Sequence, residues 1–302
     1  MALVQVLQGL AREVIGYRLR AVTGSHARSS LQDFATPAGD PGLFGPHAVA
    51  WRVHAHFNAM MVGGLSSLMV QALHPRALAA VWDHSNFRHD LKGRLGRTAY
   101  FVAATTYGGT EMATRAIARV NAVHARAVGT DLTGQPYAAN APDLIRWVHL
   151  VEVSSFLVAY QHLSLTPLSP AECDTYIAEM TEVGHRLGAV DLPRTWRGTQ
   201  DALAGFHDLL VFDARARTIL EVIEGYPSDL LDWPFMQLVI RSAFDITPDW
   251  ALARMGRTPS CEAQKQFARR VLQLASGPVQ WMLDQQGVAA TARARVQASA
   301  SA

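Results

Sequence analysis

Along most of the chain, apolar residues recur every three or four positions, and alternating β-branched runs between turn signals are almost missing, so the pattern predicts helices. Residues 2–22 read as an amphipathic helix, and 23–46, rich in Gly, Pro, Ser and Asp, as a loop. One long apolar helix is expected over 47–73. It stops before His74-Pro75, because the residue ahead of a proline disfavours the helical region. A short helix over 75–83 follows. Helices over 91–107 and 110–127 flank Gly108-Gly109, with Gly129 as the stop. Residues 130–140 read as a loop, with Asn140 as cap and Pro142 in the first turn of a helix running to 164. Ser169, with Glu172 three residues on, is a capping-box pattern whose helix ends near Gly188. Further helices are expected at 196–224, 228–244 and 260–286, and residues 291–302 as a frayed tail. The fold class is all-α: a single domain over 1–290, an orthogonal or globin-like bundle of roughly 9–11 helices.

Composition narrows the class. Hydrophobic residues make up 49% and charged residues 17%, which gives a large core to fill and excludes a disordered chain. A formal charge of +2 leaves no basic footprint for nucleic acid. The cations are almost all arginine, with only Lys92 and Lys265 besides, and arginine suits carboxylate, phosphate or propionate pairing. Cys173 and Cys261 make no disulfide framework or zinc finger, and no Cys-x-x-Cys-His attaches a c-type haem. The apolar stretches at 57–73 and 147–160 carry Asn58, Gln71, His149 and Glu152, unlike a clean span of about 20 apolar residues. Glu13 and three arginines interrupt the N-terminus, so it does not read as an export signal and the expected location is cytoplasmic. Residues 1–22 suit a docked terminal helix, or peripheral contact with a membrane surface.

Four constellations carry candidate chemistry. Ala113, Ile117, Val120 and His124 fall on one helical face, which points the imidazole of His124 into an apolar interior. A buried imidazole needs a partner, either a backbone carbonyl or a metal, and spacing alone favours the carbonyl. Arg94, Arg97 and Thr98 share a face that suits an anion or a polarised oxygen, and a solvated basic first turn explains it as well. His149 and Glu152 lie together on an apolar helix after Tyr137, Asn140 and Arg146, as a polar pair fixing helix packing or as a support or rival for a metal ligand. Asp83-His84-Ser85 and His74-Pro75 read as capping and turn chemistry, and His54 and His56, two apart, make no chelate.

In order, the segments GGLSSLMVQALHP (63–75), DHSNF (83–87), RLGRT (94–98), NAVHARAVG (121–129) and YAANAPDLIRWVHL (137–150) resemble the MpaB-type oxygenase family, which includes the rubber oxygenases. They cover about 50–165, within a family-like core at 47–190, and the likeness weakens after 190. The resemblance implies a helical fold holding non-covalent haem b, with His124 as iron ligand and Arg94 and Thr98 on the opposite side of the porphyrin. His149 is the runner-up ligand. The family's V-H-x-x-V-x-G element is met at Val123, His124 and Gly129, with Ala127 in place of the second valine. Arg97 stands where rubber-cleaving members carry a lysine that can reach the metal, and an arginine does not deprotonate to do so. The expected chemistry is dioxygen activation at ferrous haem and oxidative attack on an apolar, isoprenoid or other alkene-bearing small molecule. Arg94, Arg97 and Thr98 would polarise oxygen or anchor a propionate. Three rivals stand beside it: a peroxidase-like haem enzyme, a non-catalytic haem or lipid carrier or sensor, and a di-iron bundle. For the last, only one Glu-x-x-His element is present, at Glu182 and His185.

Overall fold

The structure is a computed structural model that describes residues 31–226 and 232–298. The helix expected over 2–22 lies outside the described residues. The chain runs α1 (Leu31–Phe34), α2 (Val49–His54), α3 (Phe57–Gln71), α4 (Pro75–His84), α5 (Leu91–Tyr107) and α6 (Thr110–His124). A hairpin of β1 (Val128–Thr130) and β2 (Pro136–Ala138) follows. Then come α7 (Pro142–Leu163), α8 (Pro170–Leu187), α9 (Trp196–Ala204), α10 (Ala214–Glu224), α11 (Trp233–Ile246), α12 (Asp249–Arg254), α13 (Glu262–Gln286) and α14 (Val288–Gln297). The fold is all-α apart from the one hairpin, as the periodicity requires. Among the described residues no helix is long and apolar enough to cross a membrane.

Several boundaries differ from the sequence reading, each for a local reason. The helix expected over 47–73 is two, α2 and α3, because the His56 side chain accepts the Ala59 N–H at 3.2 Å and caps a new helix. The loop at 130–140 contains the antiparallel hairpin, pairing Val128 with Ala138 and Gly129 with Tyr137. Its turn is held by the Asp131 carboxylate, which accepts the N–H groups of Thr133 and Gln135. Asn140 is not the cap of α7; Ala141 precedes Pro142 there and caps nothing. The helix expected over 196–224 breaks at Gly205, passes through a short 3-10 turn at His207–Leu209, and restarts as α10 where Asp213 accepts the Ala216 N–H. The capping box at Ser169 and Glu172 forms, and α8 ends at Gly188 in the left-handed region.

The expected tail at 291–302 is corrected as far as residue 298. It includes most of α14, whose Arg295 is 2% exposed and donates to the carbonyls of Phe34, Asp40 and Tyr107 at 2.8–2.9 Å. One buried guanidinium thereby ties α14 to α1, to the loop at Asp40 and to α5. A polar residue doing the anchoring leaves little apolar periodicity to read.

Helix α3 sits at the centre, with buried residues on every side: Asn58, Val62, Gly63, Leu65, Ser66 and Met69. On one flank Ser66 and Thr247 share a buried hydrogen bond with α11 at 2.9 Å, and Asn58 donates to the Leu272 carbonyl of α13. On the other flank α7 comes so close that a Cβ at Gly63 would lie 2.9 Å from both the Ser155 carbonyl oxygen and Phe156 Cδ1. The Ser155 oxygen is backbone and cannot swing away, so only glycine allows this approach. Gly63→Ala is expected to lower stability by about 1–3 kcal/mol, the usual range for overpacking. The check is the midpoint of urea unfolding, and an unchanged midpoint would show that the two helices have slack.

Candidate active site

The site is assembled around the C-terminal end of α4. The carboxylate of Asp83 accepts the Tyr137 hydroxyl of β2 at 2.7 Å. His84 Nε2 bonds the Val128 carbonyl of β1 at 3.2 Å, and Ser85 Oγ accepts from Arg94 Nη1 at 3.1 Å. Three consecutive side chains therefore hold the hairpin and α5 in one place. Val128 is four residues past His124, a stretch of chain that spans at most about 14 Å, so α4 also sets where the end of α6 lies. Gly129 serves the same arrangement: a Cβ there would lie 2.6 Å from the Tyr137 hydroxyl oxygen. The sequence reading gave Asp83, His84 and Ser85 only capping roles, and their reach across the fold was missed.

His124 is the last residue of α6, on the face carrying buried Ala113 and Ile117 and half-buried Val120. Its Nδ1 is buried and has no hydrogen-bond partner. Burial lowers its pKa, so the imidazole is held neutral, the form that binds metals. The expected backbone-carbonyl partner for Nδ1 is not formed, which leaves a polar atom whose burial costs energy until something meets it.

The RLGRT segment divides. Arg94 turns inward, bonded to Ser85, and its pKa falls to about 10 through desolvation and the neighbouring Arg97 charge. Arg97 turns out to Asp90, 3.5 Å away, with half its side chain exposed, and Thr98 is exposed. The three expected on one face thus share a helix end, with Arg94 alone lining a partly open cavity. That cavity lies between α3, α4, α5, α7 and α10, and Leu68, Gln71, Val81, Phe87 and Val148 are among the residues that line it with Arg94. On α3, Phe57, Met60, Met61, Gly64, Leu68 and Gln71 keep partly open surface, while the other positions are buried.

The other candidate, His149, is packed as a core residue. It is 7% exposed and lies so close to α8 that a Cβ on Gly184 would come within 2.8 Å of its Nε2. Its pKa drops to about 4, first by desolvation and then by the His185 charge, against the pull of the Met180 carbonyl. Glu152, one turn on, is half-buried, and desolvation raises its carboxyl to about 7. His54 is enclosed by hydrogen bonds to Thr106 at 2.7 Å and Tyr176 at 3.0 Å. Glu182 pairs with Arg186 at 2.6 Å on the surface, so the single Glu-x-x-His element does not turn inward. Among the described residues no three His, Cys, Asp or Glu side chains gather as a metal site.

This is an all-α protein in which His74, His124, His162 and His207 carry buried ring nitrogens without a partner among the described residues, and α4 ties the inward Arg94 and the strand that follows His124 to one scaffold. Residues 51–276 match the family described as ER-bound oxygenase mpaB/B′/rubber oxygenase, catalytic domain, and the chain belongs to it. The match begins at α2 and runs through most of α13, so it takes in the helices after 190 where the motif likeness had faded. The chain matches no curated protein and no solved structure.

The buried histidines set a pH dependence. His54 is pushed down to about 3, and His74 and His149 to about 4, each chiefly by desolvation. In the unfolded chain they titrate near the ordinary value of about 6.5. Their contribution is therefore whole above pH 6.5 and is lost as pH falls toward 4, because the unfolded state binds protons the folded state refuses. Glu152, raised to about 7, works in the opposite direction between about 4.5 and 7, but it is one group against three. Unfolding midpoints are expected to fall steadily from pH 6.5 to pH 4.5. A flat profile would mean these histidines are open to water.

Proposed function

We propose that the chain is a haem-b-dependent oxygenase acting on an apolar, alkene-bearing small molecule, with His124 as the iron ligand. The observation that carries this is the unpartnered Nδ1 of His124 at the end of an apolar helical face. A porphyrin brings four donors of its own, so a single protein imidazole completes the site and no cluster of metal-binding side chains is needed. The chemistry of the residues suits that group: a neutral buried imidazole for the metal, an inward guanidinium for a propionate, and apolar side chains such as Leu68 and Val148 beside it. Bound haem iron supplies dioxygen activation and electron transfer.

The chain's own residues supply the surroundings. His124 holds its lone pair available because burial disfavours its protonated form. Ser85 fixes the Arg94 guanidinium, a preorganised positive charge for oxygen-centred negative charge or for a propionate. Leu68, Val148 and Phe87 exclude water and favour a hydrocarbon neighbour. Arg97 and Thr98 lie near the same helix end but face out, away from the cavity that Arg94 lines.

The full chain, expressed with added haem precursor, is expected to show a Soret band and about one haem per chain by the single-ligand argument. His124→Ala should lose most of that haem, while His149→Gln should keep it, with helical circular dichroism unchanged in both. Oxygen uptake on adding linear alkenes separates an oxygenase from a carrier. No Soret band after haem supplementation, or haem lost in His149→Gln and kept in His124→Ala, overturns the assignment.

A further inference from the structure

Helix α13 turns one face to the core and leaves the other open. Ala268, Leu272 and Met282 are buried, and Asn58 of α3 donates to the Leu272 carbonyl. The opposite face carries Phe267, Leu274 and Trp281, which are 65%, 80% and 46% exposed. They stand seven residues apart, and three residues after each stand Arg270, Gly277 and Asp284, all exposed. Those steps place the six positions on one stripe, the kind of seam along which two helices pack. With 25 residues, α13 is about 37 Å long.

The stripe complements itself when read in the opposite direction. Two copies of α13 laid antiparallel, with Leu274 against the partner's Gly277, bring Trp281 beside the partner's Arg270. Asp284 then lies about one turn from that same guanidinium. Gly277 has open space where a Cβ would stand, so it can receive the leucine. Arg270 has no ion pair among the described residues, and Asp284 accepts only from the neutral Gln280 amide, at 2.9 Å. A two-fold axis makes the same Arg–Asp contact twice. Parallel pairing instead sets Arg270 against Arg270 and Asp284 against Asp284, and like charges oppose it. A lipid surface favours cations along the whole face, whereas an acid closes this one. The three apolar side chains offer roughly 100 Å² each. Both copies with their polar rim therefore bury roughly 1,000 Å², the lower edge of a specific interface.

We propose that the exposed face of α13 is the interface of an antiparallel homodimer, centred on Leu274 and the partner's Gly277 and oriented by Arg270 and Asp284. This interface is independent of the haem reading.

Sedimentation equilibrium of the full chain over about 1–100 μM tests it, a range suited to so small an interface. The mass is expected to climb from one chain toward two. Leu274→Glu should raise the dimer dissociation constant at least about tenfold, since a central contact carries much of such an interface. Arg270→Asp and Asp284→Arg should each weaken the dimer about tenfold. An equimolar mixture of those two variants should dimerise like the parent, because every cross-pair then joins unlike charges. That recovery also shows that both variants fold. A chain that stays monomeric throughout overturns the proposal. It does so whether the stripe then carries the protein onto anionic vesicles in a pelleting assay or is covered by residues 1–30, read as a lower urea midpoint in Leu274→Glu. A dimer that ignores Leu274→Glu, or a mixture that fails to recover, overturns it as well.

Discussion

The close approach of α3 and α7 is the constraint on which the rest depends. It exists because residue 63 has no side chain and the Ser155 carbonyl and the Phe156 ring fill the space a Cβ would take. With these two apolar helices locked together, the outer faces of α3 are free to bind α11 and α13 through Ser66 and Asn58. What remains of α3, the stripe through Leu68 and Gln71, meets Val148 of α7 and forms one wall of the cavity. The site is thus a by-product of core packing, not a loop feature laid on top of it.

Against that wall, the end of α4 does the positioning. Asp83, His84 and Ser85 each reach a different segment, and together they bring Arg94 and the strand that follows His124 to one corner. These bonds are short, local in space and distant in sequence. A tyrosine hydroxyl passes over Gly129 to reach a carboxylate, which gives that glycine a steric purpose. Rigid support of this kind is what an oxygenase site needs, since chemistry on an apolar substrate offers few polar handles for orientation.

Much of this was legible in the residues. Helical periodicity gave the class, the capping box at Ser169 and the stop at Gly188 gave true boundaries, and the three- and four-residue steps from Ala113 to His124 gave the inward face. The ordered motifs pointed to the family that the 51–276 match establishes. What periodicity could not give were breaks set by single side chains, such as the His56 cap, and anchoring by a polar residue, such as Arg295. Nor could spacing tell that Arg94 and Arg97, three residues apart, would turn in opposite senses. That depends on Ser85 and Asp90 competing for them, and both partners come from outside the helix.

The central claim is that the imidazole of His124 holds the iron, and resonance Raman spectroscopy of the ferrous, haem-loaded protein tests it most directly. An iron–imidazole stretching band is predicted, absent in His124→Gly and restored when free imidazole is added to that variant. The same band persisting in His124→Gly without added imidazole would contradict the account, because another side chain would then be holding the metal.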